Sequence, residues 1–537
     1  MQTYTTGEAL VRALIDRGID TIFGIPGAHM YEFNDALARA SNRIRFIHTR
    51  HEQGAGYMAY GYAKSTGRPA AFTVVPGPGV LNAGAALCTA YAGNAPVLCI
   101  TGNIFANLIG QGRGQLHELP DQLATLRSFT RGAWRIDHPA QVPARVEDAF
   151  RTLLAPRPGP VALEAPWDVF GQSAAFDMPA PAATPALPAP DPAVLERAAA
   201  LAARAKRPLI MVGGGAQDAG AEVLALARRL DAPVTAHRSG KGAVPEDDPH
   251  FLDAVAAWEY WQECDLLIGI GSRLELQYMR WSWQPEGLKT IRIDTDPTEF
   301  VRLPADVGLY ADAAAGASVL MPLVPQAARG ADLAGLRARA RAAIDVVQPQ
   351  MAWLDAIRAV LPRDGIYVDE ISQMGFTARF GLPVYTPRGY ISSAYQENLG
   401  FGFMTALGVK VAHPDRAVVQ VSGDGGFMFG VQEMATAVQY GIGVVTIVFD
   451  NASYGNVRRD QVERYGGRLL GADLQNPDFV ALAQSFGMAA ERVERPEALG
   501  PVLSAMLASG APGLIVVPLA RGQEASPWPF VMPKRPG

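Results

Sequence analysis

Gly423-Asp424-Gly425-Gly426-Phe427 opens a run that closes at Phe449-Asp450-Asn451-Ala452-Ser453. Between them lie a helical stretch, Gly430 to Gly443, and the apolar run Val444-Val445-Thr446-Ile447-Val448-Phe449. The order reads as a strand ending at an Asp, a helix, and a second strand with an Asn at its end. Oxygen ligands at the carboxyl ends of two neighbouring parallel strands can hold one hard divalent cation. Such a cation prefers near-octahedral oxygen and commonly shares its ligands between protein and phosphate. Gly425 and Gly426 follow the Asp directly, so backbone N–H groups can approach a phosphate at the start of the next helix. A lone Asp-Gly is far more often a helix cap with a tight bend. The Asn-x-Ser at the end of the following strand reverses that reading. The same segment lacks the G-x-G-x-x-G of a dinucleotide turn.

The rest of the chain sets the frame. Its 537 residues predict three or four domains. Hydrophobic residues make up 49% and charged residues 18%, which allows large buried cores and argues against disorder. A net charge of −5 supplies no basic face, so neither nucleic acid nor an anionic membrane is an expected partner. Cys88, Cys99 and Cys264 are odd in number and sit in apolar surroundings, as buried thiols of a reducing compartment do. The first residues, Met1-Gln2-Thr3-Tyr4-Thr5-Thr6-Gly7-Glu8, lack the basic and apolar regions of a signal peptide. No apolar stretch approaches the ~20 residues of a membrane span. The expectation is a soluble, cytoplasmic protein.

The Pro/Ala-rich stretch from Gly171 to Val194 reads as a semi-rigid linker without helix or strand. A second boundary falls between Pro325 and Gly335, before a polar helix from Leu336 to Val347. The chain thus divides into 1–170, 190–330 and 350–537. Each part alternates β-branched runs with helical patterns, the mark of βαβ units. Strands are expected at 21–24, 71–75, 97–101 and 161–164 in the first part. In the second they are expected at 209–213, 266–270 and 289–294, and in the third at 365–369, 417–421, 444–449 and 514–517. The expected fold is α/β, with three doubly wound parallel-sheet domains.

A second constellation is Arg50-His51-Glu52-Gln53-Gly54-Ala55-Gly56, continuing to Lys64. A Glu entering a helix is usually a solvated carboxylate. Here Gly54, Ala55, Gly56 and Ala59 crowd it, which predicts close packing. A buried carboxylate needs a partner, and a protonated heterocyclic nitrogen would serve.

Taken in order, these segments resemble the motifs of thiamine-diphosphate enzymes, in the superfamily of acetolactate synthase, benzaldehyde lyase and 2-oxo acid decarboxylases. The matching stretches are Phe23-Gly24-Ile25-Pro26-Gly27, Arg50-His51-Glu52, Gly77-Pro78-Gly79 with Asn82, and the Asp424–Ser453 run. The resemblance implies a pyrimidine-binding first domain, a cofactor-free central domain and a diphosphate-binding third domain. It gives Glu52 the pyrimidine nitrogen of the cofactor, and through it the proton relay to the thiazolium carbon. Decarboxylation of a 2-oxo acid, or lyase cleavage, then proceeds through an enamine. Asp424, the Asn451 side chain and the Ser453 carbonyl would bind Mg2+. Pro26 and Asn82 would lie on the cofactor, and Ile371, Ser372, Gly425, Gly426, Tyr454 and Gly455 would line the diphosphate. The Glu397 backbone would meet the aminopyrimidine, and Leu399 would bend the cofactor, although plain core packing is the simpler reading of a leucine.

His29, after the first strand, matches an active-site histidine of benzaldehyde lyase. His117 falls where that enzyme and acetolactate synthase carry a glutamine. Either could move protons near neutral pH, or serve as a structural hydrogen-bonder. Three departures separate the chain from acetolactate synthase. Asp460 replaces a tryptophan of the second-substrate pocket, Gln277 stands near the place of a channel arginine, and the flavin-contacting segment is short around Phe251-Leu252-Asp253-Ala254. They argue against strict acetolactate synthase activity and against bound FAD. The expected function is a carboligase or decarboxylase of 2-oxo acids and aldehydes, at least a homodimer and plausibly a homotetramer. A hydroxy-ketone lyase and a flavin-dependent 2-oxo acid oxidase remain the alternatives. Gly213-Gly214-Gly215 follows a strand but lacks the third dinucleotide glycine, and reads as a tight turn.

Overall fold

The computed structural model describes residues 1–182 and 187–535, so Pro185 of the expected linker lies outside the described residues. A short strand, β1 (Gln2–Thr5), precedes the first large sheet. That sheet holds β2 (Thr21–Gly24), β3 (Arg45–His48), β4 (Ala70–Val74), β5 (Val97–Asn103), β6 (Ala133–Arg135) and β7 (Val161–Pro166). They run parallel in the order β3-β2-β4-β5-β7-β6. Next comes β8 (Ser173–Phe176), which pairs antiparallel with β1. This corrects the linker reading, because the stretch after Gly171 first forms a strand that ties down the N-terminal segment. The following helix begins at Pro192, where the Asp191 carboxylate accepts from the Ala193 N–H.

The middle sheet contains β9 (Pro208–Val212), β10 (Val234–Ala236), β11 (Phe251–Leu252), β12 (Leu266–Ile270), β13 (Lys289–Asp294) and β14 (Val307–Tyr310). Its order is β11-β10-β9-β12-β13-β14. The third sheet contains β15 (Ile366–Val368), β16 (Tyr390–Ile391), β17 (Val418–Gly423), β18 (Val445–Asp450), β19 (Ala489–Arg492) and β20 (Gly513–Pro518). Its order is β16-β15-β17-β18-β20-β19. Both sheets are parallel. The first and third sheets therefore share one strand order, and the middle sheet has the order of dinucleotide-binding folds.

Every expected strand is present, and most of the unexpected ones share a cause. All six edge strands of the large sheets, β3, β6, β11, β14, β16 and β19, escaped the sequence reading. So did the short β10, only three residues long. Central strands of a parallel sheet are covered on both faces and read as continuous apolar runs. An edge strand such as Ala489–Arg492, mostly exposed, carries no such run.

The outer two domains share a core. The helix Glu52–Thr66 lies against the helix Gly402–Ala412 so closely that neither surface tolerates a side chain at the crossing. A Cβ on Gly61 would overlap the Thr405 carbonyl oxygen, and one on Gly408 would overlap the Met58 carbonyl oxygen. Around this crossing, Phe23, Ala59 and Phe72 of the first domain join Leu407, Val418 and Val448 of the third in one buried cluster. The small residues after Glu52 thus serve interdomain packing. The middle domain has its own core, with Ile210, Leu226, Ile268 and Ile293. Cys99 and Cys264 are buried free thiols, and Cys88 is half-buried. No helix among the described residues is long and apolar enough to cross a membrane.

Candidate active site

In a doubly wound sheet, ligands bind beyond the carboxyl ends of the strands where the strand order reverses. In the first sheet that point lies between β2 and β4. Glu52 is the first residue of its helix, and the preceding His51 caps the helix through Nδ1, which accepts from the Gln53 N–H at 3.1 Å. The Glu433 carboxylate of the third domain accepts from the Arg50 and His51 N–H groups, which fixes the entry to the helix. Glu52 itself is half-buried rather than enclosed, and Asn82 donates to its Oε2 at 3.0 Å. The turn Gly77–Gly79 passes beside it. A Cβ on Gly79 would lie 3.7 Å from the Glu52 Cγ, and one on Gly77, at φ +61°, would strike the His117 carbonyl oxygen at 2.5 Å.

That turn brings His117 to the same end of the sheet as His29. The two rings stand 5.3 Å apart, edge to face, and Trp167 lies 4.8 Å from His29. Both histidines occupy left-handed backbone, at φ +69° and +64°. Each has a buried Nδ1 without a protein partner, an arrangement that costs folding energy unless a ligand or water answers it. Burial, reinforced by His117, pushes the His29 imidazole below its ordinary value and keeps it neutral at pH 7. Pro26, on the loop between β2 and His29, is exposed.

The third sheet reverses between β15 and β17, and the metal candidates sit there. Asp424 starts a single helical turn directly after β17. After β18 the chain turns through Ala452 at φ +50°, which swings the Ser453 N–H to within 3.2 Å of the Asp424 Oδ2. The Ser453 hydroxyl donates to the Asn451 Oδ1 at 2.8 Å, so Asp424, Asn451 and Ser453 stand together. Ser372 caps the helix Gln373–Gly381 by accepting from the Gly375 N–H. Across the reversal point, a Cβ on Gly423 would lie 3.5 Å from the Ser372 Cβ. Two helix N-termini therefore face one crevice. The Tyr454 ring covers Gly425, where a Cβ would come within 2.5 Å of it.

Several residues here carried no sequence signal. Asn476 donates to both Asp424 Oδ2 and Asp450 Oδ1 at 2.7 Å. Glu524 accepts from the Asn451 Nδ2 at 2.7 Å, which turns the amide so that its oxygen faces Ser453. Burial raises the Asp424 carboxyl to about 6, with Asp450 adding to the rise. Burial likewise raises Glu524 to about 7, with Asp424 adding to it. Three neighbouring carboxyls with so little countercharge suit a site that receives a cation. Among the described residues no group of three or more His, Cys, Asp or Glu side chains forms a metal cage. The donor set is instead one carboxylate, one amide and a backbone carbonyl, the sparse set that Mg2+ takes when phosphates complete its shell.

Leu399 is half-buried and belongs to no apolar cluster among the described residues, so core packing does not account for it. Beside its loop, Glu370 is fully buried and is pushed up to about 8 by burial, while the Ile371 and Gly402 N–H groups donate to it. Trp167 and Phe105 were also missed, although Trp167 follows β7 directly at the ligand-binding end. In the middle domain, Gly213-Gly214-Gly215 lines a cavity of about 390 Å3 together with Arg238, Gly271, Asp294 and Tyr395. Glu52 stands at the strand ends of the first sheet and Asp424, Asn451 and Ser453 at those of the third, with no hydrogen bond among the described residues joining them, so each outer sheet carries one half-site.

Three family models match in order. They are thiamine pyrophosphate enzyme, N-terminal TPP binding domain over residues 4–125, central domain over 195–320, and C-terminal TPP binding domain over 370–517. The chain is 35% identical to a probable 2-ketoarginine decarboxylase, AruI, of Pseudomonas aeruginosa, covering 93% of this chain and 90% of that one. It is 31% identical to the acetolactate synthase isozyme 1 large subunit of Escherichia coli, covering 99% and 96%. A solved structure, the thiamine diphosphate-dependent 4-hydroxybenzoylformate decarboxylase of Rhodococcus jostii, superposes with a TM-score of 0.85 at 24% identity, covering 97% and 100%. That likeness carries the fold alone. The chain belongs to the thiamine pyrophosphate enzyme family.

Proposed function

We propose that this protein is a thiamine-diphosphate- and Mg2+-dependent enzyme that makes or breaks the carbon–carbon bond beside the carbonyl of a 2-oxo acid. The observation that carries the reading is the pair of half-sites at matching reversal points of two sheets with one strand order. One offers a carboxylate, Glu52, and the other a cation cradle, Asp424 with Asn451 and Ser453.

When bound, thiamine diphosphate supplies the nucleophilic carbon and the electron sink that a decarboxylating 2-oxo acid needs. The protein supplies placement and charge. Asp424, the Asn451 oxygen and the Ser453 carbonyl would hold Mg2+, and the helix N-terminus at Ser372 with the backbone of Gly425 and Gly426 would receive the diphosphate. Tyr454 and Gly455 close that end, and Ile371 adds an apolar wall. Glu52 pairs with the pyrimidine nitrogen and holds the proton there, kept in orientation by Asn82. The Glu397 backbone and Leu399 would lie against the cofactor. His29, kept neutral by burial, and His117 beside it stand at the substrate end as candidate proton acceptors. Exposed apolar side chains accompany both half-sites, Tyr31 and Phe105 against Trp167 with Leu116 next to His117 in the first domain, and Met428 and Phe429 soon after Asp424 in the third. Such patches favour pairing of two copies, each completing the other's site.

The deciding experiment incubates the protein with thiamine diphosphate, Mg2+ and a panel of 2-oxo acids, with and without acceptor aldehydes. The panel includes acids with cationic side chains, as the relative named 2-ketoarginine decarboxylase suggests. CO2 release with a ligated or aldehyde product is the expected outcome, and no turnover of any member overturns the reading. A flavin-dependent oxidase is the second reading, favoured by the glycine-lined cavity at the reversal point of the middle sheet. Purified protein without flavin absorbance removes it.

His29 gives a pH signature. The imidazolium of His29 persists only below its lowered value, so the acid limb of kcat/KM is expected below the usual histidine range near 6.5. His29→Ala should erase that limb, and an unchanged profile assigns His29 a structural role.

A further inference from the structure

Three arginines converge on one oxygen of Glu397. Arg238 Nη1 donates to Oε1 at 2.6 Å, Arg280 Nη2 at 2.8 Å and Arg379 Nη1 at 2.9 Å. Arg238 and Arg280 belong to the middle domain, while Arg379 lies on the helix Gln373–Gly381 of the third. Their side chains are only 3%, 10% and 2% exposed. Burial opposes a charge on Glu397, but Arg379, Arg238 and Arg280 outweigh it and hold the carboxyl below its ordinary range.

The backbone beneath this cluster passes through left-handed conformations. Glu397 stands at φ +47°, Ala394 at +54° and Gly400 at +82°. Arg238 Nη1 also donates to the Ala394 carbonyl at 2.5 Å, so one guanidinium braces two left-handed residues of the same loop. The first domain holds the loop from its other side, where the Tyr60 hydroxyl donates to the Ser392 carbonyl and the Thr89 hydroxyl to the Asn398 Oδ1. Glycine would adopt φ +47° without a steric penalty. A glutamate there must be explained by its side chain. Buried ion pairs seldom stabilise a fold more than apolar residues of the same volume, and fixing one register is their best-attested use.

We propose that the Glu397 side chain is a positioning group, whose interdomain arginine clamp holds the loop 394–400 in the left-handed turn that offers the Glu397 backbone and Leu399 to the cofactor. The proposal rests on the cofactor reading given under Proposed function. It makes the middle domain, which contributes no residue to either half-site, a working part of the cofactor site through Arg238 and Arg280.

Calorimetric titration of thiamine diphosphate with Mg2+ tests it, well below each variant's melting temperature. The native chain, Glu397→Gln, Glu397→Gly and Arg280→Gln are compared. Glu397→Gln should weaken cofactor binding by about tenfold or more, the scale of losing charge-assisted hydrogen bonds. Glu397→Gly relieves the backbone but cuts the clamp, and it should bind equally weakly. Arg280→Gln leaves two donors on the carboxylate and should weaken binding by a smaller factor. Native affinity in folded Glu397→Gly overturns the clamp. If both Glu397 variants fail to fold, native affinity in Arg280→Gln overturns it instead. A native chain that does not bind the cofactor overturns the functional reading itself, a result distinct from either.

Discussion

Glu52→Gln is expected to bind thiamine diphosphate and Mg2+ as the native chain does while losing nearly all turnover. The substitution keeps the shape of the side chain and removes only its ability to hold a proton in exchange. The local structure has no reason to change. The helix entry is set by the His51 cap and by Glu433 on the Arg50 and His51 N–H groups, none of which involves the Glu52 carboxylate. The amide oxygen of the substituted side chain would still accept from Asn82, which donates to this position at 3.0 Å. Loss of a positioned proton-transfer group costs on the order of 10²–10⁴-fold in rate. Affinity by calorimetry and turnover at saturating cofactor are read together. Full turnover would remove the proton-relay role, and lost affinity with normal turnover would reduce Glu52 to a binding contact.

Asp424→Ala should act on the opposite quantity. Asp424 is the one charged member of the cradle, and it accepts from both the Ser453 N–H and Asn476. Its removal takes the charge from the metal site and frees the loop that carries the Ser453 carbonyl. Even residues that merely orient metal ligands typically cost 10–100-fold, so loss of the carboxylate itself should weaken cofactor binding by about 100-fold or more. The metal-free chain should respond differently. There Asp424 is crowded by Asp450 and Glu524 with its carboxyl raised to about 6, so removing it relieves repulsion. The expected signature is a melting temperature that cofactor and Mg2+ raise in the native chain and leave unmoved in the variant. A retained shift would place the metal elsewhere.

Half of the site was legible because its determinants are close in the chain. Asp424, Asn451 and Ser453 end two adjacent strands, so one βαβ unit sets their separation, and spacing alone could announce it. Glu52, Gly77 and Asn82 likewise flank consecutive strand ends of the first sheet. Glu524 and Asn476, which orient Asn451 and Asp424, come from later segments whose approach no periodicity records. Trp167 sat in view at the end of β7, yet an aromatic residue after a strand is ordinary until His29 is found 4.8 Å away.

By itself, the amino-acid sequence determined the class of the three domains, the central strands, and the strand-end positions of Asp424, Asn451, Ser453 and Glu52. Each rests on residues within one or two successive elements, where apolar runs and strand-end spacing translate directly into position. Only the tertiary structure decided that the outer domains share one core, through the Gly61 and Gly408 crossing, and that Glu52 is half-open rather than enclosed. It alone brought His29 to His117, and three arginines from two domains onto Glu397. The reason is physical. Burial and charge at those points depend on surfaces that come from separate elements, in places more than a hundred residues apart along the chain, and no local pattern encodes which surfaces will meet.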